Sequence, residues 1–188
     1  MLNVGILGAS GFTGVELLRL CAAHPHFNVT YATGDTQAGT LARSLYPSLS
    51  ANYPNLVFEE FTLEKALQCD VLFLALPHEA SLELVPQLYK KVKLVVDLSA
   101  AYRLKNASLY PKWYGFEHTH ADLIEHAVYG LPEINREQLR SAQLIATPGC
   151  YVTAASLALS PLVAAGVIQA EGVIVDAASG VSGAGRAA

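Results

Sequence analysis

Short apolar runs alternate with stretches whose apolar residues return every three or four positions. Leu2–Leu7 reads as a buried strand. Phe12–Ala23 follows as a helix, with Val15, Leu17, Leu18 and Leu20 at helical spacing and an end near His24-Pro25. Asn28–Thr33 is a second strand, and Gly34–Ser50 is loop-rich with little periodicity. Leu56–Phe58 reads as a short strand, Leu63–Leu67 as a short helix and Val71–Leu76 as a strongly apolar strand. His78–Lys91 reads as a helix, with Pro86 a kink or break in it, and Leu94–Leu98 as a further strand. Ala100–Ile134 carries tyrosines, histidines and Trp113 but few long apolar runs, and reads as an extended segment over the surface. Leu144–Ala146 is a strand, Tyr151–Ala165 a buried helix, and Gly172–Ala177 a last strand before the glycine-rich Ser179–Gly185.

Strands alternating with helices at this spacing predict an α/β fold, a Rossmann-like doubly wound parallel sheet. Nearly continuous apolar strands agree, because parallel strands are covered on both faces. Composition sharpens the class. In 188 residues, 52% are hydrophobic and 15% charged, which argues against disorder. The net charge of -4 gives no electrostatic footprint for nucleic acid or an anionic membrane, and leaves an anionic small-molecule substrate open. Ser141–Ala170 is uncharged and long enough to span a bilayer, but Pro148-Gly149, Pro161 and Gly166 interrupt it, so strand, turn and helix are expected rather than a membrane span. Cys21, Cys69 and Cys150 form no C-x-x-C pair, so neither a zinc site nor a dithiol motif is expected. With no secretory start, they point to a reducing cytoplasm. His118, His120 and His126 lack supporting carboxylate or cysteine spacing, and no metal site is expected there.

Gly8-Ala9-Ser10-Gly11-Phe12-Thr13-Gly14 follows the first strand and opens the first helix, the position of a dinucleotide-binding turn. Glycines there admit a pyrophosphate to the backbone, and the helix N-terminus favours its charge. The spacing is G-x-x-G-x-x-G rather than G-x-G-x-x-G, which leaves an ordinary tight turn as the other reading. Gly8, Ser10, Gly11, Phe12, Thr13, Gly14 and, at the end of the second strand, Thr33 are the candidate cofactor residues. Thr33-Gly34-Asp35-Thr36 does not choose between NAD and NADP, and Arg43 is either a 2′-phosphate ligand or a solvated loop residue. His78, at a strand end, is a candidate for lining the nucleotide cleft.

Thr147-Pro148-Gly149-Cys150 carries a strand into an apolar helix and sets Cys150 in its first turn. A helix N-terminus stabilises a thiolate, which attacks carbonyls while nearby N–H groups hold the oxyanion. The alternative for Cys150 is a small buried hydrophobe, the reading given to Cys21 and Cys69. A nucleotide-binding half beside a nucleophilic cysteine suggests hydride exchange with a thioester or thiohemiacetal, the chemistry of a phosphorylating aldehyde dehydrogenase.

Together these stretches resemble the N-acetyl-gamma-glutamyl-phosphate reductase family. The resemblance rests on Gly8–Leu17, Ala75-Leu76-Pro77-His78, Asp97–Arg103, Tyr129–Glu133, Pro148–Thr153 and Ser179–Arg186, in family order. It implies NADPH-dependent reduction of N-acetyl-γ-glutamyl phosphate to the semialdehyde in arginine biosynthesis, with Cys150 as nucleophile and phosphate released. It implies that Ser182 and Gly183 lie near the nicotinamide, and that Arg103, by analogy with the related aspartate-semialdehyde dehydrogenases, holds the substrate phosphate. It places a catalytic histidine after the Ser179–Arg186 loop, where this chain stops. It divides the chain into a dinucleotide-binding domain, 1–148, and the start of an α+β substrate domain, 149–188, so the chain is expected to be cut short, inactive alone and homo-oligomeric when full length.

Overall fold

Leu2–Leu7 (β1), Phe27–Ala32 (β2), Val71–Leu74 (β3), Leu94–Asp97 (β4), Val128–Tyr129 (β5) and Leu144–Ala146 (β6) pair in parallel, in the order β2-β1-β3-β4-β6-β5. This computed structural model describes residues 1–185, so Arg186 at the end of the glycine-rich loop lies outside the described residues. The chain enters at β1, pairs β2 on one side and crosses to β3 on the other, which makes β1/β3 the switch point of the sheet. Alternation along the strands builds two cores. Val4 and Ile6 pack with Leu18 and Cys21 of α1 (Phe12–Ala22). Leu72, Leu74 and Val95 pack with the buried Leu82, Val85 and Leu88 of the helix His78–Leu88.

Two four-residue helices, α2 (Ala42–Leu45) and α3 (Leu63–Ala66), precede that helix, which is α4. Pro86 sits inside α4 without ending it. Its missing N–H leaves the Leu82 carbonyl without a helical donor, and the buried Tyr102 hydroxyl donates to that oxygen at 2.8 Å. Burial pushes the ionisation of Tyr102 far up, so the hydroxyl remains a donor.

Ala100–Ile134 is not an extended surface segment. It contains α5 (Tyr110–Tyr114), α6 (Ala121–Ile124), β5 and the first turn of α7 (Pro132–Leu139), and it buries Ala101, Tyr102, Tyr110, Leu123, Ile124 and Leu131. Its aromatic rings pack on one another, Tyr110 lying 4.7 Å from His118 and 5.3 Å from Phe116 between centroids. Such a cluster shows no simple period along the chain, and periodicity therefore misses it. Within it His118 donates from Nε2 to the Ala101 carbonyl at 2.7 Å and accepts the His120 N–H at Nδ1. Burial holds its pKa below the usual 6.5.

Three further expectations change. The last helix, α8 (Cys150–Ala164), forms where expected but buries no residue, because no described segment covers it. Gly172–Ala177 forms no strand, since no described neighbour offers it a ladder. Leu56–Phe58 gives only one isolated bridge, Val57 with Leu41, and a second, Glu59 with Thr33, follows just beyond it. Among the described residues, no helix is long and apolar enough to cross a membrane.

Tyr102→Phe leaves the Leu82 carbonyl unsatisfied and should destabilise the fold by about 1–3 kcal/mol in urea denaturation. Pro86→Ala restores an N–H at that carbonyl, so the double variant should lose less than the sum of the two single changes. His118 favours folding as the neutral ring. Its contribution is complete above its unfolded pKa and is lost as pH falls through about 6.5 toward the lower folded value. Denaturation curves between about pH 7.5 and 5.5 should therefore be flatter with pH for His118→Gln than for the parent chain.

Candidate active site

Leu7, Leu74, Asp97, Ala146 and Tyr129 stand opposite one another across adjacent strands. The sheet's carboxyl edge is therefore level, and the turns that follow β1, β3, β4 and β6 emerge side by side. At strand spacing, β1 and β6 are separated by roughly 14 Å.

The glycine turn occupies the β1 end. Gly8 has φ +83°, and a Cβ there would lie 2.2 Å from the Ala75 carbonyl oxygen at the end of β3. A Cβ on Gly14 would lie 2.4 Å from Ala9 Cα, so its absence lets α1 seat on the turn. Gly11 differs: among the described residues a Cβ there would meet the Gly8 carbonyl oxygen at 3.5 Å, an ordinary van der Waals contact, so a methyl group fits at this position. Gly11 is also the N-cap of α1 and supplies no side-chain cap. Thr33 secures the turn from β2, its Oγ1 accepting the Gly8 N–H at 3.0 Å and its carbonyl the Ala9 N–H at 2.7 Å. Ser10 Oγ donates to the Gly34 carbonyl at 3.0 Å, and Tyr46 Oη donates to the Ser10 carbonyl at 2.7 Å.

A cleft of about 620 Å³ opens beside this turn, between the ends of β1 and β3 and the flank of α4. Gly8, Thr33 and Asp35 line it, with an apolar wall of Phe61, Leu76 and Leu84. Of the sequence candidates, Gly8 and Thr33 face the cleft, Ser10 is half-buried, and Gly11, Phe12 and Thr13 are exposed on the turn. The apolar wall carried no motif and was not legible in the sequence. Among the described residues, no lysine or arginine lines the cleft, and Arg43 is not one of its residues. His78 is absent too: its Nδ1 accepts the Ala100 N–H at 3.0 Å, which tethers α4 to the turn after β4.

The second part of the site lies at the β6 end. Cys150 is exposed as the first residue of α8, and the N-cap Gly149 provides no side-chain cap. It opens onto a groove of about 460 Å³ whose far wall is Val175–Gly180. Ser182 and Gly183 follow in a 3-10 turn and line neither cavity. Cys21 and Cys69 are buried, and burial pushes both thiols up, Cys21 to about 11. Arg103, half-buried, lies against the start of α8, with Nη1 at 3.4 Å from the position of a Gly149 Cβ. Asp97 is fully buried beneath this turn. Burial raises its pKa, and the Ser99 N–H (3.0 Å) and hydroxyl (2.8 Å) oppose that rise by binding its carboxylate. Ser81 Oγ is buried close enough to Asp97 to favour the ionised form but lies outside hydrogen-bonding geometry.

The sequence pattern described as "Semialdehyde dehydrogenase, NAD binding domain" matches residues 3–142. The chain belongs to this semialdehyde dehydrogenase family. Residues 150–188 match the family's "dimerisation domain". Proteins named N-acetyl-gamma-glutamyl-phosphate reductase are similar along the whole chain: that of Pseudomonas fluorescens strain Pf0-1 is 47% identical over 188 residues, and that of Saccharophagus degradans 45%. The chain spans about half the length of these relatives, 55% and 54%. Aspartate semialdehyde dehydrogenase with NADP from Candida albicans has the same fold, with a TM-score of 0.66 at 19% identity, over 87% of this chain and 47% of that one. Aspartate semialdehyde dehydrogenase II from Vibrio cholerae gives 0.60 at 19%, over 88% and 43%.

Two glycines of the turn, Gly8 and Gly11, should separate folding from binding. Gly8→Ala should cost about 2–4 kcal/mol in urea denaturation, because φ and the Ala75 contact both oppose a Cβ. Gly11→Ala should change stability by less than about 1 kcal/mol yet weaken dinucleotide binding about tenfold or more, followed by quenching of tyrosine and tryptophan fluorescence.

Proposed function

We propose that this chain is the cofactor-binding and nucleophile-bearing part of an NADPH-dependent N-acetyl-γ-glutamyl-phosphate reductase. The observation that carries the reading is Cys150, exposed at the uncapped start of α8 on the same sheet edge as the glycine turn. The name borne by relatives 45–47% identical along the whole chain supports the substrate. A fold likeness to an NADP-complexed dehydrogenase supports the cofactor. The residues fit a dinucleotide: the exposed Gly11 brings no side chain to the start of α1, and Gly8 and Thr33 line a cleft with an apolar wall.

Cys150 Sγ, as the thiolate, attacks the acyl carbon of the substrate. The bond from that carbon to the phosphate oxygen breaks, inorganic phosphate leaves, and the acyl group stays on sulfur as a thioester. First-turn N–H groups of α8 stand beside the carbonyl oxygen as charge develops on it. NADPH, when bound, supplies the hydride that reduces the thioester toward the semialdehyde. Arg103 provides the positive charge next to the leaving phosphate. Ser182 and Gly183 belong to the nicotinamide end, because the segment leading into them faces Cys150.

In this reading the dinucleotide-binding domain ends at residue 148 and the substrate domain begins at 149, self-association runs through the latter, and the free thiols suit the cytoplasm. The substrate is a small acyl phosphate, with neither nucleic acid nor membrane as partner.

The test uses the full-length chain. It should oxidise NADPH with N-acetyl-γ-glutamyl phosphate and far more slowly with aspartyl phosphate, and Cys150→Ser should lower kcat by about a thousandfold or more. Preference for aspartyl phosphate would move the protein to aspartate-semialdehyde chemistry. Dinucleotide binding without turnover of either acyl phosphate would leave a binding module.

A further inference from the structure

We infer that Arg103 is a positioning residue for Cys150: its guanidinium clamps the turn that starts α8 onto the turn that follows β4. The inference rests on the reading of Cys150 as the nucleophile. Thr147, Pro148 and Gly149 join β6 to α8. The Thr147 N–H makes the last ladder-like bond, to the Asp97 carbonyl at 2.9 Å, and Pro148 has no N–H to give. Among the described residues, Arg103 is the one side chain from outside α8 that bonds this turn, with Nε on the Thr147 carbonyl at 2.8 Å.

The other side of the clamp is rigid. Arg103 Nη2 donates to the carbonyls of Ser99 at 3.0 Å and Leu98 at 3.4 Å. Those carbonyls belong to a turn whose every neighbouring N–H is held. The Leu98 N–H goes to the Leu74 carbonyl, Ser99 binds Asp97 through N–H and hydroxyl, Ala100 binds His78 Nδ1, and Ala101 binds Ser99 Oγ. Arg103 thus transfers the position of a fixed turn to one with few ties of its own. Tyr114 Oη adds a contact to Nη1 at 3.4 Å. A single Nη1 N–H then remains for an anion, so most of the guanidinium serves the protein rather than the substrate. The fork sets Nε on Thr147 and Nη2 on Leu98 and Ser99, and the single nitrogen of a lysine ammonium does not reproduce this spread of fixed donors.

Arg103→Lys, Arg103→Gln and Tyr114→Phe in the full-length chain test this. If Arg103 positions the nucleophile, Arg103→Lys fails to rescue: kcat falls about 10–100-fold in both arginine variants, while KM for the acyl phosphate moves less than about threefold. Iodoacetamide modification of Cys150, followed by peptide mass spectrometry, should slow about threefold or more in both, with Cys21 and Cys69 unchanged. Tyr114→Phe, which leaves every main-chain acceptor in place, should lower kcat about two- to fivefold at unchanged KM. Should the arginine variants fail to fold, an unchanged kcat in Tyr114→Phe overturns the inference. It is also overturned if Arg103→Lys restores kcat and the modification rate of Cys150 is unchanged in both arginine variants, the signature of a side chain that meets the substrate but does not hold the turn. The modification rates need no substrate, so they judge the clamp even if the assigned acyl phosphate is not turned over.

Discussion

Leu7, Leu74, Asp97 and Ala146 lie side by side across the sheet, and this parallel register dictates where every turn of the site can be. Parallel strands deliver all their carboxyl ends to one edge. Residues as far apart in the chain as Gly8, His78, Arg103 and Cys150 are thereby set along one edge. The glycine turn and the Cys150 turn are then held at a distance fixed by the intervening strands β3 and β4. That separation suits an extended ligand whose one end is bound by phosphate contacts and whose other end is brought to a reactive group.

The register also explains why a carboxylate is kept beneath the edge. Asp97 is fully buried, and desolvation makes its charge costly. The Ser99 N–H and hydroxyl repay part of that cost, and in doing so they bend the chain after β4 into a turn with its carbonyls directed at Arg103. Neighbouring groups are used in the same economical way. His78 satisfies the Ala100 N–H instead of facing the cleft, and Tyr102 satisfies the carbonyl that Pro86 leaves open. Polar groups at this end of the sheet thus act first on the backbone, and the turns so fixed present the chemistry.

α8 stands apart. Val152, Leu157, Leu162 and Val163 are exposed on it, and a helix apolar on several faces is stable when other elements cover it. Its first turn is nevertheless well placed, because β6 and the Arg103 contacts define where it begins. The position of Cys150 therefore depends on the dinucleotide-binding sheet, although the helix that carries it matches the dimerisation part of the family.

The sequence by itself determined the strands β1 to β4 and β6, the helices α1, α4 and α8, and the turns bearing Gly8 and Cys150. These are local signals: apolar runs, helical spacing, and glycine or proline at fixed places, each expressed within a few residues. It also carried the family resemblance. Only the tertiary structure decided that Ala100–Ile134 is packed core, since its aromatic cluster is assembled from residues with no common period. Thr33 braces the glycine turn, Phe61 and Leu84 wall the cleft, and Arg103 bonds Thr147, 44 positions away, all through contacts that no short window contains. Gly172–Ala177 shows the same limit from the other side: strand propensity is local, but a strand exists only where a neighbour completes its hydrogen bonds.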